Sequence, residues 1–176
     1  MIQSIVLRRL GGTLNEILEL IERTAQVSEL HAEFATGNRL VTYIEFGQLE
    51  YLDQYLAWYE GRDYIFIGLP FMLEGFVKLG RLEDAGQLLN RYQHIIEEIA
   101  TSNEPKKIQL HLHFRHAYAL YLCARKGLHE LLEVANKAFE LGNFNRFKKC
   151  IQSYWKYKNF TTIEHENKFM QLLLNN

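Results

Sequence analysis

The chain has 176 residues, 48% of them hydrophobic and 13% aromatic, and carries a formal net charge of −1. That length supports one domain with a sizeable core, spanning 1–176. The balanced charge excludes a molecule that is basic throughout, as a general nucleic-acid binder would be.

The opening "MIQSIVLRRLGGTL" is cut by Arg8 and Arg9 too early for a signal peptide, and its weak alternation leaves 1–10 unassigned. Thr13 with Glu16 forms a capping box that starts a helix over 14–27, where Leu14, Ile17, Leu18 and Ile21 share one face. Apolar spacing of three and four then predicts helices over about 31–46, 48–60, 64–79 and 82–101. Asn103 is the expected cap of the next, with Pro105 in its first turn, running to about Arg125 and stopping before Gly127. Helices over about 128–141 and 144–158 follow. Thr161 with Glu164 opens a last one that ends near Leu174. The fold class is therefore all-α, with about nine helices joined by turns short enough to force antiparallel neighbours. No run of 18 apolar residues argues for a membrane span. Cys123 and Cys150 both sit in helical apolar patterns and are expected to be buried free thiols in a reducing compartment. The expected location is the cytoplasm.

The strongest feature is self-similarity. "FGQLEYLDQYLAWY" (46–59) and "LGRLEDAGQLLNRY" (79–92) match at Gly, Leu, Glu, Gln, Leu and Tyr. Aligning Gly47, Gly80 and Gly142 places Tyr43, Phe76 and Ala138 four residues before the glycine. Leu52, Ala85 and Phe147 stand five after it, and Tyr59, Tyr92 and Tyr154 twelve after it. A glycine allows a tight turn, and the flanking apolar residues can pack across a hairpin that buries its remaining face on copies of itself. The helix over about 104–125 falls between the second and third copies and has no partner of its own type.

These copies resemble a degenerate form of the tetratricopeptide repeat, through the aromatic late in the first helix (Tyr43, Phe76), the "LG" or "FG" turn, and "LEDA" at 82–85. The resemblance implies stacked antiparallel hairpins in a superhelix; separately, with no phosphate loop, nucleophile elbow or paired acids in the sequence, no enzymatic activity and no cofactor are expected. The resemblance also implies a concave groove for a peptide or partner protein, lined by Glu45, Glu74, Lys78, Asn136 and Glu140. The array also looks like the sensor region of bacterial peptide-responsive regulators, and a homodimer is one assembly it allows.

Other chemistry is weakly signalled. His111 and His113 in "HLHFRH" point about 200° apart on a helix. His113 and His116 are three apart, but the segment offers no third ligand for zinc, so no metal is expected. Charge is uneven: 1–60 carry nine acids and four bases, while 105–158 carry eleven bases and three acids. "NFNRFKKCIQSYWKYK" joins Arg146, Lys148, Lys149, Lys156 and Lys158 to five aromatics, which single-stranded nucleic acid or an acidic partner would use. The plainer account makes Phe144, Phe147, Ile151 and Tyr154 core positions with the lysines outside. A small helical enzyme whose site leaves no motif also stays open.

Overall fold

The computed structural model describes residues 2–62 and 65–157, and all its regular elements are helical. In chain order they are α1 (Ile2–Arg9), α2 (Leu14–Ala25), α3 (Glu29–Glu45), a 3₁₀ turn (Leu49–Tyr51), α4 (Leu52–Tyr59), α5 (Ile65–Lys78), α6 (Leu82–Arg91), α7 (Gln93–Thr101), α8 (Pro105–Tyr121), α9 (Cys123–Glu140) and α10 (Phe144–Tyr157). No helix among the described residues is long and apolar enough to cross a membrane. The helix predicted after Thr161 and the side chain of Cys123 lie outside the described residues. The chain forms two compact units, one ending at Gly75 and one beginning at Phe76, with the boundary inside α5.

The aligned glycines share one geometry. Gly47, Gly80 and Gly142 have φ of 80°, 71° and 67°, the left-handed region that a Cβ disfavours. In each turn the glycine N–H bonds back to the residue three before it. The next N–H bonds to the residue five before it: Gln48 to Tyr43 at 2.9 Å, Arg81 to Phe76 at 2.9 Å and Asn143 to Ala138 at 2.8 Å. This is the Schellman closure, which uses up the helix's last orphan carbonyls. Gly11, with φ of 85°, closes α1 in the same way, with Gly12 N–H bonding to Leu7 O at 2.9 Å.

Burial repeats as well. The tyrosines twelve past the turn glycine, Tyr59, Tyr92 and Tyr154, are all buried. So are Tyr55, Leu88 and Cys150, eight past it. The apolar residues next to the glycine behave differently from expectation. Phe46, Leu79, Leu82, Leu141 and Phe144 are all exposed, because the chain reverses there and the turn projects beyond the packed faces.

In the first unit, α2 packs on α3 through Ile17, Ile21 and Ala35, with Leu7 of α1 added. The Thr13–Glu16 box holds α2's start: Thr13 N–H donates to Glu16 Oε2 at 2.8 Å, and Thr13 Oγ1 accepts from Glu16 N–H. The Thr13 hydroxyl, donating to Glu16 Oε2 at 2.7 Å, and the Thr13 amide hold the Glu16 carboxyl below its ordinary pKa. Ser28 caps α3, and α3 turns at Gly47 to run back along α4.

In the second unit, α9 lies between α8 and α10 and packs along both. Leu112, Ala119, Leu131, Val134, Ala135, Ala138 and Cys150 form the core of this layer, with Phe147 and Ile151 against it. The helix predicted over 104–125 is therefore the antiparallel partner of α9.

Three boundaries differ from the sequence reading. The predicted helix over 82–101 is broken at Tyr92, where φ is −111° and the ring is buried. The turn between α8 and α9 falls at Leu122, while Gly127 lies inside α9, against the carbonyl of Ala119. That glycine is a site of close helix approach and not a stop. Asn103 does not cap α8: Glu104 is the capping residue and makes no side-chain bond to the helix, while Ser102 Oγ accepts from Glu104 N–H at 3.2 Å.

Ala85 is fully buried on α6. Ala85→Trp should overpack that site and cost about 1–3 kcal/mol, read as a lower melting temperature.

Candidate functional site

The five residues carried over from the repeat resemblance meet different fates. In the first unit, Glu45 pairs with Arg8 at 3.2 Å, and Glu74 is buried. In the second, Lys78 is exposed near the end of α5. Asn136 and Glu140 are exposed and one turn apart on α9, where Asn136 Nδ2 donates to Glu140 Oε1 at 2.9 Å and Lys137 Nζ joins at 3.0 Å. The structure thus brings Asn136 and Glu140 together, while Glu45 is engaged by α1.

A more developed concave site lies in the first unit. Thr36, Arg39, Leu40 and Tyr43 fall at helical spacing on one face of α3. Across from them are Tyr51 of the 3₁₀ turn and Gln54 and Trp58 of α4. Together they line a cleft of about 300 Å³. Its walls are fixed by their neighbours. The rings of Tyr43 and Tyr51 stack at 4.2 Å with 18° between their planes. The Trp58 ring lies under the Arg62 guanidinium at 4.5 Å. It also packs so closely on α3 that a Cβ on Gly37 would come within 2.7 Å of it. Arg39 reaches Glu22 through Nη2 at 3.0 Å, while its Nε is buried and has no hydrogen-bond partner. The sequence reading passed over these residues. A usable signal was present: Arg39 is the one Lys or Arg between Arg23 and Arg62, on a helix with Tyr43 one turn later.

The second unit holds a buried polar chain. His116 Nδ1 lies 2.9 Å from Arg146 Nη1, and His116 Nε2 lies 3.2 Å from Ser153 Oγ. A guanidinium can only donate, so Nδ1 accepts and Nε2 carries the proton of the neutral ring. His116 therefore donates to Ser153 and cannot act as a base toward its hydroxyl. Arg146 is buried, with Nη1 against His116 of α8. The core face of α10 is Phe147, Cys150, Ile151 and Tyr154, and Phe144 is exposed. Lys148 and Lys156 remain outside, and Lys158 lies outside the described residues. Cys150 is a buried free thiol. Among the described residues, no three His, Cys, Asp or Glu side chains converge as metal ligands.

On α8, Arg115 bridges to α9, with Nη2 donating to Glu133 Oε2 at 2.7 Å and Nε donating to Glu130. Burial, and next the nearby Arg115 charge, push the His111 imidazole below its ordinary value of 6.5. A base whose pKa is lower folded than unfolded gives stability that is complete above the unfolded value and is lost as pH falls toward the folded one. Urea midpoints should therefore drop as pH is lowered from 7.5 through 6, and His111→Gln should flatten that part of the profile.

No protein-family model, curated protein or solved structure matches the chain.

Proposed function

We propose that the chain is a non-enzymatic interaction module, built from degenerate tetratricopeptide-like hairpins, that binds a peptide or a segment of a partner protein. The α3–α4 cleft carries this reading. It combines fixed aromatic walls with the Arg39 cation, and such a mixture suits a chain offering both apolar and polar groups. At about 300 Å³ it matches the small end of ligand sites, enough for one or two side chains of a longer segment. Lys78 and Asn136 are both exposed as well. The buried free thiol Cys150 suits a reducing compartment, and we read the protein as cytoplasmic.

The reading is tested by selecting binders from a displayed random-peptide library. Thr36→Tyr, which fills the cleft, should weaken selected peptides at least about tenfold with helicity unchanged, since an anchor pocket carries most of the binding energy. Lys78→Ala with Asn136→Ala should have a smaller effect, and Lys148→Ala with Lys149→Ala almost none. Loss of binding in the Lys78–Asn136 pair alone would move the site to those positions. Salt-sensitive loss in the lysine pair alone would move it to α10 and an acidic partner or nucleic acid.

A further inference from the structure

On α10, Phe144, Lys148, Gln152 and Trp155 fall along one side, within about 80° of arc. All four are exposed, Phe144 at 62% and Trp155 at 46%. Lys156 is exposed beside this row, and the helix carries no acid. The face is thus aromatic at its two ends, about 16 Å apart along the axis, and basic between them. The start of α3 carries the opposite charge. Leu30 and Phe34, one turn apart, are exposed at 60% and 38%, and Val27 just before the helix at 68%. Glu29 and Glu33 stand beside them, both exposed, and no base follows until Arg39. Glu33 reaches Arg62 at 3.4 Å, while Glu29 makes no ion pair among the described residues.

Each face leaves apolar side chains in water, and each is bordered by charge of one sign. A nucleic-acid strand would suit α10 alone and would leave the acidic, apolar start of α3 unexplained. A second copy of the chain accounts for both faces, since it brings the complement of each in charge and in apolar surface. We infer that the chain associates with itself head to tail. α10 of one copy seats on the start of α3 of the next, its aromatic residues against Val27, Leu30 and Phe34 and its lysines toward Glu29 and Glu33. Because the two faces differ, a pair of copies keeps one of each kind open, and association does not stop at two. Two helix faces of this length fall below the roughly 1,200 Å² that stable complexes bury, so the contact is weak and depends on concentration.

Sedimentation equilibrium at low salt should show the average mass rising past that of a dimer between about 5 and 500 µM, and returning toward the monomer in about 0.5 M salt. Leu30→Lys alone, and Phe144→Ser with Trp155→Ser, should each stay monomeric over that range with helicity unchanged. Mixed in equal amounts, the two variants should form a pair that stops at two, because one keeps a sound α10 and the other a sound α3. Lys148→Gln with Lys156→Gln replaces the second variant should loss of the aromatic residues disturb folding. A parent chain that stays monomeric throughout would overturn the inference. So would variants that associate as the parent does, or a mixture that stays monomeric, since the contact would then not join these two faces. Oligothymidylate bound by a monomeric parent and lost in the Lys148–Lys156 variant would give α10 to nucleic acid instead.

Discussion

Gly127→Ala is expected to lower the melting temperature by about 6–12 °C. A Cβ at this position would overlap the carbonyl oxygen of Ala119, which belongs to the backbone of α8 and cannot rotate aside. Relief requires α8 and α9 to separate where Ala119, Leu131 and Ala135 share one core. Overpacking costs about 1–3 kcal/mol when side chains can yield, and a backbone clash belongs at or above the top of that range. A loss of about 3 kcal/mol in a chain of this size corresponds to the stated shift. Gly86→Ala is the control. Its Cβ would meet only the Tyr121 hydroxyl, at 3.3 Å, so the ordinary gain of up to about 1 kcal/mol for alanine in a helix should dominate. If Gly127→Ala melts within a degree of the parent chain, the helices do not approach each other at this point.

Arg146→Met should cost about 1–3 kcal/mol, read as a lower urea midpoint. Methionine keeps most of the apolar stem but removes the donor to His116 Nδ1, leaving a buried acceptor unsatisfied. The diagnostic experiment is a cycle. His116→Leu alone strips the guanidinium of one acceptor in a buried setting. Combined with Arg146→Met, it replaces both partners with apolar groups, which is far less costly than breaking the pair from one side. The double variant should therefore be more stable than the sum of the two single losses predicts. Strict additivity would show that the 2.9 Å contact contributes nothing.

What could be seen in the sequence follows from range. The Gly47, Gly80 and Gly142 turns were visible because a Schellman closure is local: a glycine, the residues four before and one after it, and an apolar pattern on each side. Leu10–Gly11 carries the same turn, but its flanking residues do not repeat the apolar spacing. The break at Tyr92 has no proline or glycine to mark it, and a buried ring decides it. Gly127 was misread because a glycine that ends a helix and one that admits a neighbouring helix look identical in one dimension. The same limit applies to Arg146. Its burial accompanies an acceptor on His116, thirty residues earlier in the chain. The cleft was missed for the same reason, since Arg39 and Trp58 meet only through the reversal at Gly47. The five groove residues came from resemblance, and of these Asn136 and Glu140 are joined by a hydrogen bond.

The repeated turn also has a consequence for how the chain reaches this state. Each Schellman closure is made by bonds spanning three and five residues, so it forms without waiting for any distant segment. Among the described residues, the closely packed helix pairs are mostly neighbours along the chain: α1 with α2, α2 with α3, α3 with α4, α7 with α8, α8 with α9, and α9 with α10. Little loop-closure entropy has to be lost before contacts repay it, which is the condition for refolding on the microsecond to millisecond scale. Speed of that order protects the chain at its weakest moment, because the core faces of separate helices have little time to meet those of another molecule before their own neighbours cover them.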